Sequence, residues 1–413
     1  MSDAFRPGRS LTALVVSHAL SRTGNVVTVF AVPFTVLAGG GDAAQVGIAA
    51  AAATAPIVIG GPFGGVLVDR IGALRSSISA DLISGVTIAL IPVTALLGIG
   101  SFPLLVTLVF LSGLLDAPGE TARRVLVPGL STEAGVPLER SVGLLDGATR
   151  ASSLLGAPLA ALLVTALGPS PALFATVGLF AAAALLTAAL VRPPRTAPVA
   201  TELPRTGYLA DLREGLRFVA TDPLLRGVVL LVLVTNAIDA ARSATLMPLY
   251  AAERLDGAAS LGCIVAAFGG AALAGTVVFG FIAHRLPRRI PFVVCFSLAG
   301  VSLCAPALGL DTGWLVVVSL VAGFAAGAIN PIIGAVELER VPPAMRARVL
   351  GLITAGAWAG MPVGAALGGL AAEAWGLTTT FAVAAVIYLL ATLSPLRGGA
   401  WRLMERHAVA EQR

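Results

Sequence analysis

Apolar runs much longer than a β-strand alternate with short polar breaks along the whole chain. They predict helices over 10–38, 43–68, 75–99, 103–125, 141–168, 171–191, 226–251, 258–283, 290–310, 313–336, 347–371 and 377–396. Each run reaches or exceeds the about 20 mainly apolar residues that cross a bilayer as a helix. Gly, Pro and Asp punctuate the joints, as in Gly39-Gly40-Gly41-Asp42, Gly168-Pro169-Ser170-Pro171 and Asp311-Thr312-Gly313. A membrane barrel is excluded, because its strands are short and alternate lipid-facing with lumen-facing residues. The expected fold class is all-α integral membrane, with twelve transmembrane helices in two pseudo-symmetric six-helix bundles.

Arginine placement orients the spans. With the N-terminus inside, 23 arginines fall in cytoplasmic segments, Arg123 and Arg124 among them, and one, Arg254, falls in an outer loop. That asymmetry follows the positive-inside rule, and one missed helix would invert every later loop. Arg22, Arg150 and Arg242 fall within spans. Trp314 and Trp375 come at outer helix ends and Trp401 at an inner one, as interfacial anchors do.

The longest break divides the chain into an N-terminal bundle (1–191), a cytoplasmic linker (192–225), a C-terminal bundle (226–400) and a cytoplasmic tail (401–413). The linker opens with Arg192-Pro-Pro-Arg-Thr-Ala-Pro, an extended sequence. Tyr208 to Ala220 then reads as an amphipathic helix along the cytoplasmic surface, with Leu209, Leu212, Leu216 and Val219 on one face. The halves also repeat. Pro33 matches Pro248, Gly47 matches Gly262, Gly60 matches Gly275, Gly65 matches Gly280 and Arg70 matches Arg285, all at an offset of 215. An even number of helices per half makes this a parallel repeat about the membrane normal, with a central cavity between the halves.

Composition sharpens the class. Hydrophobic residues make up 57% of the 413 residues and charged residues 12%. A soluble domain carries about 25% charged residues, so this chain lacks the polar surface a water-soluble globule needs. The net charge of +5 comes from arginine alone, placed as topology signals rather than as a nucleic-acid patch. Cys263, Cys295 and Cys304 lie in apolar runs without metal or redox spacing and read as small core hydrophobes. His18, His284 and His407 are scattered. No cleavable signal peptide is evident. No serine-hydrolase elbow, phosphate-binding loop or metalloprotease motif appears, which argues against a membrane enzyme or an ATP-driven pump.

Ionisable groups within a span cost about 2.5–3.5 kcal/mol each on insertion scales, so each asks for a reason. Arg22 lies midway along the first helix with Asn25 one turn on, and Asp239 and Arg242 lie midway along the seventh with Asn236 one turn before. Asn330 lies in the tenth helix. These six are the candidate translocation and coupling residues, with Arg22, Asp239 and Arg242 as the polar centre and Asp239 as the proton-titrating carboxylate. Alternatively, Asp239 and Arg242 are a static pair within one helix. Asp81 lies about two turns inside the third helix, while Asp116 and the Asp146–Arg150 pair sit nearer the cytoplasmic side and read as structural.

One loop carries a recognisable signature. Gly65-Val-Leu-Val-Asp69-Arg70-Ile-Gly72-Ala-Leu-Arg75 resembles the loop motif of the major facilitator superfamily, and the segment from Gly280 to Arg285 resembles its degenerate second-half copy. Asp116-Ala-Pro-Gly-Glu120, Asp211-Leu-Arg-Glu-Gly-Leu-Arg-Phe and Glu339-Arg-Val-Pro-Pro resemble its macrolide-efflux-like and siderophore-export-like drug:proton antiporter branch. The resemblance implies a gating latch at Gly65, Asp69, Arg70, Gly72 and Arg75; alternatively, Arg70, Arg75 and Arg285 are topology signals only. Arg288 and Arg289 read as topology signals only. Gly156 and Pro158 in the fifth helix, and Gly360 and Pro362 in the eleventh, are similar to the family's helix-bend motif, although ordinary packing explains them equally well. The family's frequent arginine early in the fourth helix is absent from Phe102-Pro-Leu-Leu-Val-Thr-Leu-Val, so coupling by that residue does not transfer.

The expectation is a secondary transporter, a proton-coupled exporter of small amphipathic or lipophilic compounds working by alternating access. The alternatives are a nutrient importer of the same fold and a non-transporting membrane receptor or assembly protein. No cofactor is expected beyond the proton gradient. Expected partners are the small-molecule substrate and the lipid bilayer, without nucleic acid, for a chain acting as a monomer. The expected location is the bacterial inner membrane, multi-pass, with both termini cytoplasmic.

Overall fold

A computed structural model describes residues 8–192, 208–282, 286–342 and 346–405. They form helices throughout. The first six are α1 (Gly8–Ala38), α2 (Ala43–Ile71), α3 (Ala73–Leu96), α4 (Phe102–Ala134), α5 (Leu138–Leu167) and α6 (Pro169–Leu190). Then come α7 (Tyr208–Thr221), α8 (Pro223–Ala240), a π-helical turn (Ala241–Leu246), α9 (Met247–Arg254) and α10 (Ala258–Ile282). The chain continues as α11 (Arg289–Val301), α12 (Cys304–Ala307), α13 (Thr312–Arg340), α14 (Arg346–Trp375) and α15 (Leu377–Thr392), and ends in two short 3-10 turns. Eleven described segments are long and apolar enough to span a membrane, and α2, 29 residues long, supplies the remaining expected crossing. The protein is a multi-pass membrane protein.

Local chemistry sets the helix ends. The carboxylates of Asp42, Asp222 and Asp311 accept hydrogen bonds from the first free backbone N–H groups of α2, α8 and α13. Gly135 ends α4 with φ at +64°, a left-handed conformation that a side chain would strain. α4 runs two turns beyond the expected 103–125, to Ala134, because Leu126, Val127 and Leu130 bury their side chains as one further stretch of the same helix. The ninth predicted helix, 290–310, is interrupted at Ser302 and Leu303 between α11 and α12.

The chain divides into two compact units, Met1–Thr201 and Glu202–Arg413. In the first, α1 packs on α5 and α6, α2 packs on α4, and α3 packs on α4 and α6. In the second, α8 packs on α14, α10 on α13, and α11 on α13 and α15. These pairings follow the order of helices within each half. α7 docks on the second unit, where Phe218 and Val219 cover a cluster of Leu225, Val341, Val349 and Ile353. It therefore caps the C-terminal bundle, although Leu216, on its expected apolar face, is exposed. The cysteines depart from the expected core placement: Cys263 is exposed, and Cys295 and Cys304 are half-buried.

Candidate functional site

In the first unit the polar groups of several helices converge. The Nη1 of Arg22 on α1 lies 3.2 Å from Glu120 Oε2 on α4, and Asn25 donates from Nδ2 to Asp116 Oδ2 at 2.7 Å. Arg123 on α4 donates to Asp81 on α3 at 2.5 Å, and neither side chain has any exposed surface. Arg124 lies 3.5 Å from Glu120 and 3.7 Å from Asp146 on α5. His18 Nε2 meets Thr149 Oγ1 at 2.8 Å, and Ser152 donates to the Ala19 carbonyl at 2.9 Å, tying α1 to α5. The expected place of Arg123 in a cytoplasmic loop is thus corrected. α4 does not stop at 125, and the guanidinium turns inward to meet a carboxylate that would otherwise be buried without a counter-ion.

In the second unit Asp239 and Arg242 pair at 3.5 Å, with side chains 40% and 20% exposed. Tyr388 on α15 donates to Asp239 Oδ2 at 3.4 Å, and the Arg242 guanidinium lies 5.1 Å from the centre of the Phe268 ring, a cation–π distance. Asn236 donates to the Ala357 carbonyl on α14 at 2.9 Å. Arg242 sits in the π turn, closed by the Met247 N–H bonding to the Arg242 carbonyl. Pro248 follows immediately; its ring would press on the carbonyl four residues back in a regular helix, and the wider turn relieves this. Asn330 is exposed on α13 and shares no described hydrogen bond with these groups. The expected polar residues thus gather in two places: Arg22 with Asn25 in the first unit, and Asn236, Asp239 and Arg242 in the second.

The remaining motif residues divide by role. Gly156 packs on Val26 of α1, where a Cβ would come 2.8 Å from Val26 Cγ1. At Gly360 a Cβ would come 2.8 Å from the Leu233 carbonyl of α8, so both glycines let the fifth-type helix approach the first-type helix of its own unit. Pro158 is exposed and Pro362 half-buried within their helices. Gly72 adopts φ of +91° between α2 and α3, which explains a glycine in the loop motif. Arg70 and Arg75 are exposed, and Gly280 lies on the exposed face of α10. The side-chain surroundings of Gly65 and Asp69, and all of Arg285, lie outside the described residues.

Arg288 and Arg289 do more than signal topology. Arg288 binds Glu339 through both Nη atoms at 2.5 and 2.6 Å, which raises its pKa above the usual arginine value. Arg289 donates to the Pro395 and Leu396 carbonyls, each at 2.8 Å, and Glu405 accepts from the backbone N–H groups at the start of α11. Trp401 packs on Phe292 at 6.1 Å between ring centres and fills the space beside Gly227. Charge counting alone cannot show such pairing, because it comes from segments more than fifty residues apart. Phe268 and Tyr388 carry no expectation from the sequence, and Glu120 enters it only as the end of the Asp116–Glu120 motif. The available signals were the i,i+4 spacing of Asp116 and Glu120 on one helix face and a lone tyrosine in an otherwise apolar span.

The model of the Major Facilitator Superfamily matches residues 14–258 and 229–409. The multidrug efflux pump Tap of Mycolicibacterium fortuitum is 29% identical over 381 residues, 91% of this chain and 93% of that protein. The enterobactin exporter EntS of Escherichia coli O1:K1 is 28% identical over 338 residues, 79% of this chain and 77% of that protein. The crystal structure of the nucleoside transporter NupG superposes with a TM-score of 0.75 at 13% identity, covering 95% of this chain and 98% of that one.

Proposed function

The chain belongs to the Major Facilitator Superfamily, and on that premise we propose a secondary transporter that exports small amphipathic or lipophilic compounds by alternating access, driven by the proton gradient. Its relatives favour export over import: a multidrug efflux pump and an enterobactin exporter match most of its length. They come from bacteria, which supports placement in a bacterial inner membrane. The arginine asymmetry supports cytoplasmic termini. A receptor or scaffold would gain nothing from the insertion cost of charges inside the spans.

The observation that carries the coupling mechanism is the Asp239–Arg242 pair. Its 3.5 Å separation is loose, and both side chains keep part of their surface open within an apolar span. Tyr388 and Phe268 hold the two ends. A carboxylate beside an arginine favours the ionised form, and one moved into apolar surroundings favours the neutral acid. Alternating access that loosens or tightens this pair binds and releases a proton at Asp239. Arg242, resting on an aromatic face, also offers a cation–π and apolar surface to a lipophilic substrate.

Inverted vesicles test this reading. With an imposed proton gradient, vesicles carrying the protein should accumulate a lipophilic dye, and Asp239→Asn should abolish the gradient-driven part. Accumulation that Asp239→Asn leaves fully intact would remove Asp239 from coupling.

A further inference from the structure

The polar cluster of the first unit does not balance. Four carboxylates (Asp81, Asp116, Glu120 and Asp146) meet three guanidinium groups (Arg22, Arg123 and Arg124) where α1, α3, α4 and α5 pack together. Asp81 takes Arg123, Glu120 takes Arg22 and shares Arg124, and Asp146 takes the other side of Arg124. Asp116 is left without a guanidinium. It is 7% exposed, its Oδ2 accepts only from the neutral amide of Asn25, and its Oδ1 is buried without a partner. An anion held by one neutral donor inside a membrane span is an expensive species, and the neutral acid is the cheap one.

The groups around Asp116 make this site responsive. From α1 it faces Asn25 and, further off, Arg22; from α3, Asp81; from α4 itself, Arg123 and Glu120. α2 offers the apolar ring of Pro56 against Gly113, one turn away, and α5 reaches the cluster through Asp146 on Arg124. Arg150 lies on the exposed side of α5. Gly119 sits between the acid and the nearest buried guanidinium. A Cβ there would come 2.8 Å from the Ala80 Cβ of α3 and lie 3.7 Å from Arg123 Nη2 and 3.9 Å from Asp116 Oδ1, so the acid and the guanidinium both border the space that this glycine leaves open. Two further Arg123 nitrogens, Nε and Nη1, are buried without partners and are available to a newly formed anion.

We propose that Asp116 carries a proton in this conformation and gives it up in the alternate one, as a second coupling carboxylate housed in the N-terminal unit. The step is a simple ionisation: the Asp116 O–H bond breaks, the proton passes to water admitted in the alternate conformation, and the electron pair stays on the carboxylate. Arg123 then divides between Asp81 and Asp116, altering the fit of α3 against α4. This role rests on the proton-coupled export reading.

Infrared spectroscopy of the full chain in lipid nanodiscs reads the protonation without transport. Near neutral pH the wild type should show a protonated-carboxyl band that Asp116→Asn removes and Asp116→Glu shifts, while Asp239→Asn leaves it in place. A band unchanged in Asp116→Asn, or no such band at neutral pH, overturns the proposal. If Asp116→Asn does not fold, the shift or constancy of the band in Asp116→Glu decides. Uphill export by the wild type is measured in parallel. Indifference to the gradient there defeats the export reading, and the separate band distinguishes that failure from one at Asp116.

Discussion

α4 of the first unit and α13 of the second occupy the same place in the repeat, yet charged pairs dominate one seam and close glycine contacts the other. α4 is joined to α3 by the buried Asp81–Arg123 pair and to α1 by Asn25–Asp116 and Arg22–Glu120. α13 is joined to α10 by glycine. A Cβ at Gly323 would overlap the Phe268 carbonyl, one at Gly327 the Ala272 carbonyl, and one at Gly275 the Phe324 carbonyl. Its ion pairs are displaced to the helix end, where Arg340 meets Asp222 at 2.8 Å and the neighbouring Glu339 meets Arg288. In lipid there is little hydrophobic drive between helices, so association needs either polar bonds or close backbone approach. The two halves of one repeat weight these differently: α4 adds close contacts at Gly113 and Gly119 to its ion pairs, and α13 adds one hydrogen bond, from Thr276 to the Gly327 carbonyl at 2.9 Å, to its glycines. Among the described residues the first unit thereby gathers Asp81, Asp116 and Glu120 along this seam, whereas Glu337 and Glu339 stand at the end of α13 and Asp239 lies on α8.

Breaking the charged seam should have the largest effect. Arg123→Met leaves Asp81 buried without its partner and should cost about 3–5 kcal/mol. Reversible unfolding in mild detergent would measure it, and adding Asp81→Asn should recover part of the loss. An additive double mutant would show that the pair does not act as a unit.

The glycine seam comes next. A Cβ at Gly364 on α14 would overlap the Ala237 carbonyl of α8, so Gly364→Ala should cost about 1–3 kcal/mol through forced separation of the helices. Gly147→Ala, with nothing within 4 Å of its Cβ, is the control and should be near neutral by thermal shift. Equal effects at both positions would contradict the close approach.

Smaller still is the single hydrogen bond of Asn236 to the Ala357 carbonyl. Interhelical bonds of this kind average about 0.6 kcal/mol in double-mutant cycles, and Asn236→Ala should lower stability by about that much. The edge pair is weakest. Glu339 is 57% exposed, and Glu339→Gln should cost about 0–1 kcal/mol, the difference shrinking as salt is raised. A salt-independent loss would mean that the pair is shielded from water.

Much of this contrast was legible in the sequence, and some was not. Run length and arginine spacing gave the helices, because a bilayer imposes both. The caps at Asp42, Asp222 and Asp311 stand where Asp precedes an apolar run. Arg123 was misplaced because a charged residue near an expected helix end looks the same whether it points to water or to a buried carboxylate on another helix. The π turn was hidden because it preserves helical composition and shifts only the hydrogen-bond register, with Pro248 as its one trace. Asp239 and Arg242 were found by their cost in a span, whereas Tyr388 and Phe268, apolar enough to pass as filling, were not.

The central claim is that proton movement pays for export. Reconstituted wild-type protein, with external pH and substrate followed together in weakly buffered vesicles, tests it most directly. The account predicts that substrate movement against its gradient is accompanied by opposite proton movement and stops when an ionophore collapses the proton gradient. Substrate export that continues at the same rate after collapse, with no proton flux, would contradict it.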